Sequence, residues 1–187
     1  MVIRRRDRSR RSNLSAERST TSNCPPVTGY PAPSGPGLTE VAALLADLLP
    51  AETNLRVVRT SPQQLIFTAG PEGLELALGG SVSGPSIFKA VDLTAFITVN
   101  ACICRMPAAV LAQSSISFLE AAQPGTLELT IDLVQAGVRS AVTTVAVRDG
   151  RGWLVALATL HFALPTRTGR AAVGAGPQEA SSADPTA

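Results

Sequence analysis

The chain has 187 residues, of which 16 are Lys or Arg, 14 are Asp or Glu, one is His and three are Cys. This length suits a single domain with extensions, which can bury a core without disulfides or a structural metal. The positive charge is concentrated at the start, because residues 1–22 carry a net charge of +5 and the remainder −3. A mildly acidic domain argues against a nucleic-acid partner.

Residues 1–37 predict an extension ahead of the domain. Their first part is rich in Arg and Ser and lacks the apolar region of a secretory signal, so export is not expected. Residues 24–37 contain five prolines, which is typical of a linker. We expect a disordered extension or an over-long start of the gene; a transit-like segment and a polyanion-binding arm are the alternatives.

The cysteines and the longest apolar segment indicate the compartment. Cys24, Cys102 and Cys104 are odd in number and lack metal-ligand spacing, so they predict packing residues in a reducing cytoplasm. Lys89 and Asp92 interrupt the one apolar stretch that is long enough to consider as a membrane span. We therefore expect a cytoplasmic protein with no metal site and no membrane partner.

The domain is predicted to begin with an amphipathic helix at residues 38–49. Thr39 can cap its start and Pro50 stops it, and apolar side chains recur between them every three or four residues. Two short strands, at residues 55–58 and 64–68, are predicted to follow.

A glycine-rich loop then leads into a long, almost wholly apolar helix within residues 79–104. Ser83 can act as its N-cap, Gly84 lets another group approach the backbone, and Pro85 suits the first turn. Free N–H groups and the positive end of the helix dipole converge at this point. Such an arrangement can stabilise a developing oxyanion, although a glycine at this position can also serve only the turn.

Asp92 is the one carboxylate on this apolar helix. Burying an ionised group without a partner is costly, which makes Asp92 a candidate site residue. At 1.5 Å per residue it lies about 12 Å along the axis from Gly84, so one helix cannot bring both groups to one reacting carbon. A shared site therefore predicts a homodimer with sites at its interface. The alternative is a weak intrahelical ion pair with Lys89.

After the helix, apolar residues alternate with polar ones, which predicts an antiparallel four-stranded meander. The strands are expected at residues 111–120, 127–134, 138–148 and 153–164. The tight-turn dipeptides between them are Pro124-Gly125, Ala136-Gly137 and Asp149-Gly150. The domain is thus predicted to span residues 38–165, followed by a disordered tail at residues 166–187.

This pattern resembles the hot-dog fold, an α+β architecture in which an antiparallel sheet wraps around one long central helix. More narrowly it resembles the PaaI-like acyl-CoA thioesterases, in which a His-Gly-Gly loop opens the helix and a Leu-Ala-Asp-x-Ala-like stretch carries the catalytic acid. The corresponding segments here are Ser83-Gly84-Pro85 and residues 91–96, VDLTAF. The similarity covers roughly residues 54–164 and continues through Ile116–Leu119, Pro124-Gly125, Gly137–Arg139 and Leu154–Ala156.

The resemblance implies hydrolysis of an acyl-CoA thioester to a free acid and coenzyme A, by a homodimer or a dimer of dimers without a metal or other cofactor. Asp92 would act as the general base or the nucleophile, and the N–H of Gly84 from the partner protomer would polarise the thioester carbonyl. Ser83 stands where the family has a histidine, and Ala77 where it often has an asparagine. A Ser-Gly-Pro subgroup exists within the family.

Substrate contacts are expected from apolar side chains of the helix and from arginines at hairpin turns. Pro85, Phe88, Phe96 and Val99 would line the acyl pocket. Arg139, Arg148 and Arg151 can meet the phosphates of coenzyme A, or they can simply be solvated. The lone histidine, His161, is expected to have a packing or surface role.

Two other functions remain open on the sequence alone. A non-catalytic acyl-CoA-binding protein of the same fold is favoured by the replacements at Ser83 and Ala77. A hydratase or dehydratase of this fold is the third candidate, although that chemistry usually needs a histidine or a second acid.

Overall fold

The computed structural model describes residues 35–104 and 109–164. Nearly all of the predicted N-terminal extension, the predicted tail and Cys24 lie outside the described residues. Helix α1 spans Leu38–Leu48, and helix α2 spans Gly84–Val99 and continues as a π-helical turn at Asn100–Cys104. The strands are β1 Leu55–Thr60, β2 Gln64–Ala69, β3 Val110–Phe118, β4 Leu127–Ala136, β5 Ser140–Arg148 and β6 Leu154–Ala163.

All six strands form one antiparallel sheet in the order β1-β2-β4-β5-β6-β3. Along β4 and β5 the buried residues alternate with more exposed ones, as the period of two in the sequence predicts. The buried face packs against α2, so the core lies between the helix and the sheet. This arrangement confirms the predicted hot-dog fold.

The predicted four-stranded meander is wrong in one respect. Strand β3 pairs with β6, whereas β4 lies between β2 and β5. Strands β3 and β4 are therefore not neighbours. The segment that contains Pro124-Gly125 therefore crosses between separated strands instead of closing a hairpin. Alternation in a sequence reveals which face of a strand is buried, but it carries no information on which strand lies beside it.

Helix α1 has the predicted apolar stripe but a different start. Val41 and Leu45 are buried, in agreement with the prediction. The N-cap is Gly37, which has no side chain to cap the helix, so the predicted capping role of Thr39 is wrong. Thr39 lies inside the first turn, where its hydroxyl cannot occupy the N-cap position.

Helix α2 satisfies its buried polar groups locally. The Thr94 hydroxyl donates to the Ala90 carbonyl at 2.7 Å, and the Thr98 hydroxyl donates to the Thr94 carbonyl at 2.8 Å. A buried hydroxyl that bonds its own helix avoids the cost of desolvation without a partner. The buried face of α2 therefore serves to pack the core.

The stretch Gly84–Ile103 is long and apolar enough to cross a membrane by length and composition, with a mean hydropathy of 1.5. The expectation that Lys89 and Asp92 exclude such a span on composition is therefore wrong. However, 61% of the 18-residue window that gives this mean hydropathy is buried inside the protein, which is the pattern of a core helix.

Cys102 packs against the core from the π-helical turn, as predicted for a packing residue. Burial and, to a smaller extent, the nearby charge of Glu40 raise the pKa of its thiol to about 12. Cys102 is thus a neutral thiol at physiological pH and has no nucleophilic character.

Candidate functional site

Ser83 is the N-cap of α2, as the sequence predicts. Its backbone is extended, and its hydroxyl oxygen accepts a hydrogen bond from the Ser86 N–H at 3.3 Å. The Ser83 N–H donates to the Glu75 carbonyl at 2.8 Å, and the Ser86 hydroxyl accepts from the Glu75 N–H at 2.9 Å. These bonds fix the start of the helix against the preceding loop, which also carries the exposed Ala77.

The N–H of Gly84 is available to a ligand. Pro85 has no N–H, the Ser86 N–H is used by Ser83, and the Ile87 N–H donates to the Ser83 carbonyl at 3.0 Å. Within residues 35–104 and 109–164, the Gly84 N–H is therefore the backbone donor of the first turn that has no acceptor. The positive end of the helix dipole adds to its attraction for an oxyanion.

An open pocket of about 400 Å³ lies beside this donor. A β-carbon added to Gly84 would come within 3.3 Å of the Phe118 ring, at the end of β3. The pocket is lined by Val82, Gly84, Ile87 and residues 118–122. Glycine thus keeps the approach to the backbone open where an aromatic ring closes one side.

Asp92 lies on the half-exposed face of α2. The residues of this face recur at helical spacing and include Pro85, Phe88, Lys89, Asp92 and Phe96. Phe88 lies one turn before Asp92 and Phe96 one turn after it, so an apolar ring flanks the carboxylate on each side. In the part of the chain that the structure describes, Asp92 makes no hydrogen bond or ion pair. Burial raises the pKa of its carboxyl group.

The intrahelical ion pair between Lys89 and Asp92 is not formed in the described structure. Lys89 is exposed, and burial is the cause of the raised pKa of Asp92. A half-buried carboxylate without a partner destabilises the folded protein when it is ionised. Stabilisation of the fold therefore does not explain why this position carries a carboxylate.

Two predicted substrate contacts lie away from this face. Val99 is fully buried in the core, so it does not belong to the half-exposed face that carries Phe88 and Phe96. Arg139 lies in the β4–β5 turn, next to the paired ends Ser140 and Ala163. That end of the sheet is separated from Gly84 by the length of β3, about 27 Å at 3.4 Å per residue. One protomer therefore does not bring Arg139 to Gly84.

The other two turn arginines already have partners in this protomer, and all of them except the Ala121 carbonyl, which accepts from Arg151, lie in the same hairpin. Arg148 donates to the Gly152 carbonyl at 3.0 Å, and Arg151 forms an ion pair with Asp149 at 2.6 Å. His161 is exposed on β6, which agrees with a surface role. Among the described residues, no group of three or more His, Cys, Asp or Glu is arranged to hold a metal ion.

Sequence reasoning missed the residues that form the wall of the pocket beside Gly84. Phe118 and the segment after it come from the far end of β3, about 34 residues along the chain from Gly84. Two adjacent apolar residues at the end of a strand, Phe118 and Leu119, gave a weak signal. Their contact with the helix start depends on the β3–β6 pairing, which the sequence did not predict.

Residues 79–156 match the family model of the thioesterase superfamily. This segment contains the start of α2, Asp92, strands β3 to β5 and the first residues of β6. No curated protein sequence matches the chain.

Several solved structures share the fold of this chain. A protein from Silicibacter sp. TM1040, described as a putative thioesterase, is 23% identical, with a TM-score of 0.62, and the match covers 68% of this chain and 91% of that one. The PaaI protein of E. coli, from the phenylacetic acid degradation operon, is 18% identical, with a TM-score of 0.57 over 69% and 96% of the two chains. A hypothetical thioesterase from Streptococcus pneumoniae, solved with coenzyme A, is 20% identical, with a TM-score of 0.53 over 60% and 87%. These similarities show that the chain shares the fold of these proteins.

Proposed function

We propose that this protein, whose central segment matches the thioesterase superfamily, is a PaaI-like acyl-CoA thioesterase that works as a cytoplasmic homodimer or dimer of dimers. The observation that carries the proposal is Asp92: a half-buried carboxylate without a partner, set between two apolar rings on the open face of the core helix. The coenzyme A bound to the Streptococcus pneumoniae thioesterase supports an acyl-CoA substrate. No metal or other cofactor takes part in the proposed reaction.

The exposed edge of β3 supports the dimer. Strand β3 pairs with β6 on one side and is the last strand of the sheet, and it is largely exposed along both faces. An edge strand of nine residues, with unpaired N–H and C=O groups along its outer side, favours pairing with another copy. A two-fold axis perpendicular to the sheet would pair β3 antiparallel with its counterpart and place two α2 helices side by side in opposite directions.

Such a dimer would assemble each site from two chains. Gly84 lies against Phe118 at the end of β3, and thus next to the edge where a partner would join. Because the paired strands run in opposite directions, the end of the partner's sheet that carries Arg139 would approach this region. The arrangement would let Asp92 of one protomer and Gly84 of the other face one thioester, with Phe88 and Phe96 along the acyl group and Pro85 at the rim.

In the proposed reaction, the Asp92 carboxylate takes a proton from water while the water oxygen bonds to the thioester carbon. The Gly84 N–H stabilises the charge that develops on the carbonyl oxygen. The carbon–sulfur bond then breaks, and the thiolate of coenzyme A takes up a proton. The alternative route is direct attack by Asp92, which forms an anhydride that water hydrolyses. Because the Ser83 oxygen accepts a bond from Ser86, its O–H can donate to a water or to the substrate.

The first experiment measures thiol release from short, long and aromatic acyl-CoAs by the wild-type protein. Turnover of at least one of them is expected. Binding of acyl-CoA without turnover would instead favour the non-catalytic binding protein, in which the serine at position 83 and the alanine at position 77 replace the polar groups of the family. Accumulation of a hydrated or dehydrated acyl-CoA would favour the third candidate.

The raised pKa of Asp92 predicts the acid side of the pH profile. A general base or nucleophile acts in its ionised form, so kcat/KM should fall as the pH decreases through the carboxyl pKa. Because burial raises this pKa, the midpoint should lie above the ordinary value of 3.8. The substrate should be an acyl-pantetheine, because it lacks the phosphates of coenzyme A, which also titrate. The pH profile then reflects the ionisation of groups on the enzyme. A midpoint at or below 3.8 would contradict the assignment.

Mixing two inactive variants tests the shared site. Chains with Asp92→Asn and chains with Gly84→Pro, coexpressed in equal amounts, should regain about a quarter of wild-type activity, because half of the dimers are mixed and each has one intact site. If both residues of a site came from the same protomer, the mixture would stay inactive. The proportion of mixed dimers can be measured by native mass spectrometry.

A further inference from the structure

Asp149 is a buried acceptor in the β5–β6 turn. Its side chain is fully buried, and Oδ1 accepts the backbone N–H groups of Arg151 at 3.0 Å and Trp153 at 3.3 Å. Oδ2 accepts Nε and Nη2 of Arg151 at 2.9 and 2.6 Å. The bonds from Oδ1 are what an aspartate at the start of a turn commonly makes. The turn is thus closed by contacts within the hairpin itself.

Two further bonds from this pair leave the hairpin. The Gln123 N–H donates to Oδ2 of Asp149 at 3.3 Å, and Nη2 of Arg151 donates to the Ala121 carbonyl at 3.4 Å. Both partners belong to residues 119–123, the first part of the connection from β3 to β4, which we call the crossing segment. Reversal of the chain between β5 and β6 does not require these bonds, so they serve the crossing segment.

The crossing segment in turn holds the start of α2. The Val82 N–H donates to the Ala122 carbonyl at 2.9 Å, and Ala122 is 1% exposed. Val82 directly precedes the N-cap Ser83, and residues 119–122 form the wall of the pocket beside Gly84. A continuous path of hydrogen bonds and backbone therefore runs from the Asp149–Arg151 pair to the Gly84 donor.

We infer that Asp149 and Arg151 are positioning residues, which act through the crossing segment to hold the Gly84 N–H where it can meet the thioester carbonyl. This inference rests on the proposed function. A donor for a developing oxyanion is effective only when its direction is fixed before the reaction, and displacements smaller than 1 Å reduce its effect. Neither residue needs to touch the substrate for this role.

Arg148 provides a matched control in the same hairpin. It is an arginine bonded across the same turn, to the Gly152 carbonyl at 3.0 Å, and in the described structure it makes no bond to the crossing segment. Arg148→Ala removes an arginine of the same hairpin without loss of a bond to the crossing segment. Arg151→Ala removes the bond to the Ala121 carbonyl together with the ion pair to Asp149 and the stacking of Arg151 on the Trp153 ring, whose centroid lies 4.4 Å away. Arg151→Lys is a milder second variant, because lysine keeps the charge beside Asp149 but lacks the planar fork that reaches Ala121 as well.

The experiment combines kinetics on an acyl-CoA with hydrogen exchange of the full chain, at a temperature where all variants are folded. Arg151→Ala should lower kcat about tenfold with KM changed less than about twofold, because the donor is displaced and the substrate contacts remain. Amides at residues 80–87 should exchange several-fold faster, whereas those at residues 136–142, at the opposite end of the sheet, should be unchanged. Arg151→Lys should show a smaller change in the same direction, and Arg148→Ala none.

Unchanged exchange at residues 80–87 in both Arg151 variants would overturn the inference, as would faster exchange with an unchanged kcat. Equal effects of Arg148→Ala and Arg151→Ala would assign the pair to stability of the turn alone. If the wild-type protein hydrolyses no acyl-CoA, the proposed function fails first and the positioning role fails with it, so the two failures are distinguished by the wild-type assay.

Discussion

Asp92→Asn should lower kcat by about 10²- to 10⁴-fold, the range that a positioned general base contributes, while the dimer stays intact. The amide has almost the same shape as the carboxylate but cannot accept a proton from water or attack the thioester. Because Asp92 has no hydrogen-bond or ion-pair partner in the described residues, its replacement leaves no donor unsatisfied. Steady-state thiol release and light scattering measure the two effects.

The stability of this variant separates loss of chemistry from loss of fold. A carboxyl pKa that burial raises above the unfolded value means that the ionised form destabilises the folded state, at any pH above that pKa. Asp92→Asn should therefore leave the melting temperature at neutral pH unchanged or slightly higher. The matched control is Lys89→Gln on the same face, which should retain activity. A catalytically competent Asp92→Asn variant, or an equally inactive Lys89→Gln variant, would refute the role of Asp92.

Gly84→Pro should lower kcat by about 10²- to 10³-fold relative to Gly84→Ala, because only the proline removes the N–H that we assign to the oxyanion. The backbone of Ser83, with φ −69° and ψ 144°, is already in the region that a residue before proline prefers. Proline is also well tolerated in the first turn of a helix. The comparison of Gly84→Pro with Gly84→Ala thus tests the contribution of the Gly84 N–H.

Gly84→Ala is the control because it introduces the same β-carbon without removing the donor. That carbon would lie 3.3 Å from Cζ of Phe118, a ring that is exposed and can move by a few tenths of an ångström. Equal kcat values for the two variants, with matching melting temperatures, would exclude the Gly84 N–H from the reaction.

Local features of this protein could be predicted from the sequence because their causes lie within a few residues. Ser83 caps α2 because its hydroxyl lies three residues before Ser86, whose N–H donates to it. The half-exposed face with Phe88, Asp92 and Phe96 follows from the 3.6-residue period of a helix. The hairpins at Ala136-Gly137 and Asp149-Gly150 follow from turn chemistry, and both are present.

Contacts between distant segments were decided by the tertiary structure. The pairing of β3 with β6 leaves β3 at the edge, brings Phe118 to Gly84 and places Arg139 at the far end of the sheet. The hydrogen bond from the Gln123 N–H to Asp149 likewise joins residues that lie 26 positions apart. Periodicity reports which side of an element is buried, whereas the choice of neighbour depends on the free energy of the whole packed sheet, to which every strand contributes. The sequence by itself therefore determined the helix, its cap and its carboxylate, and the fold decided what surrounds them.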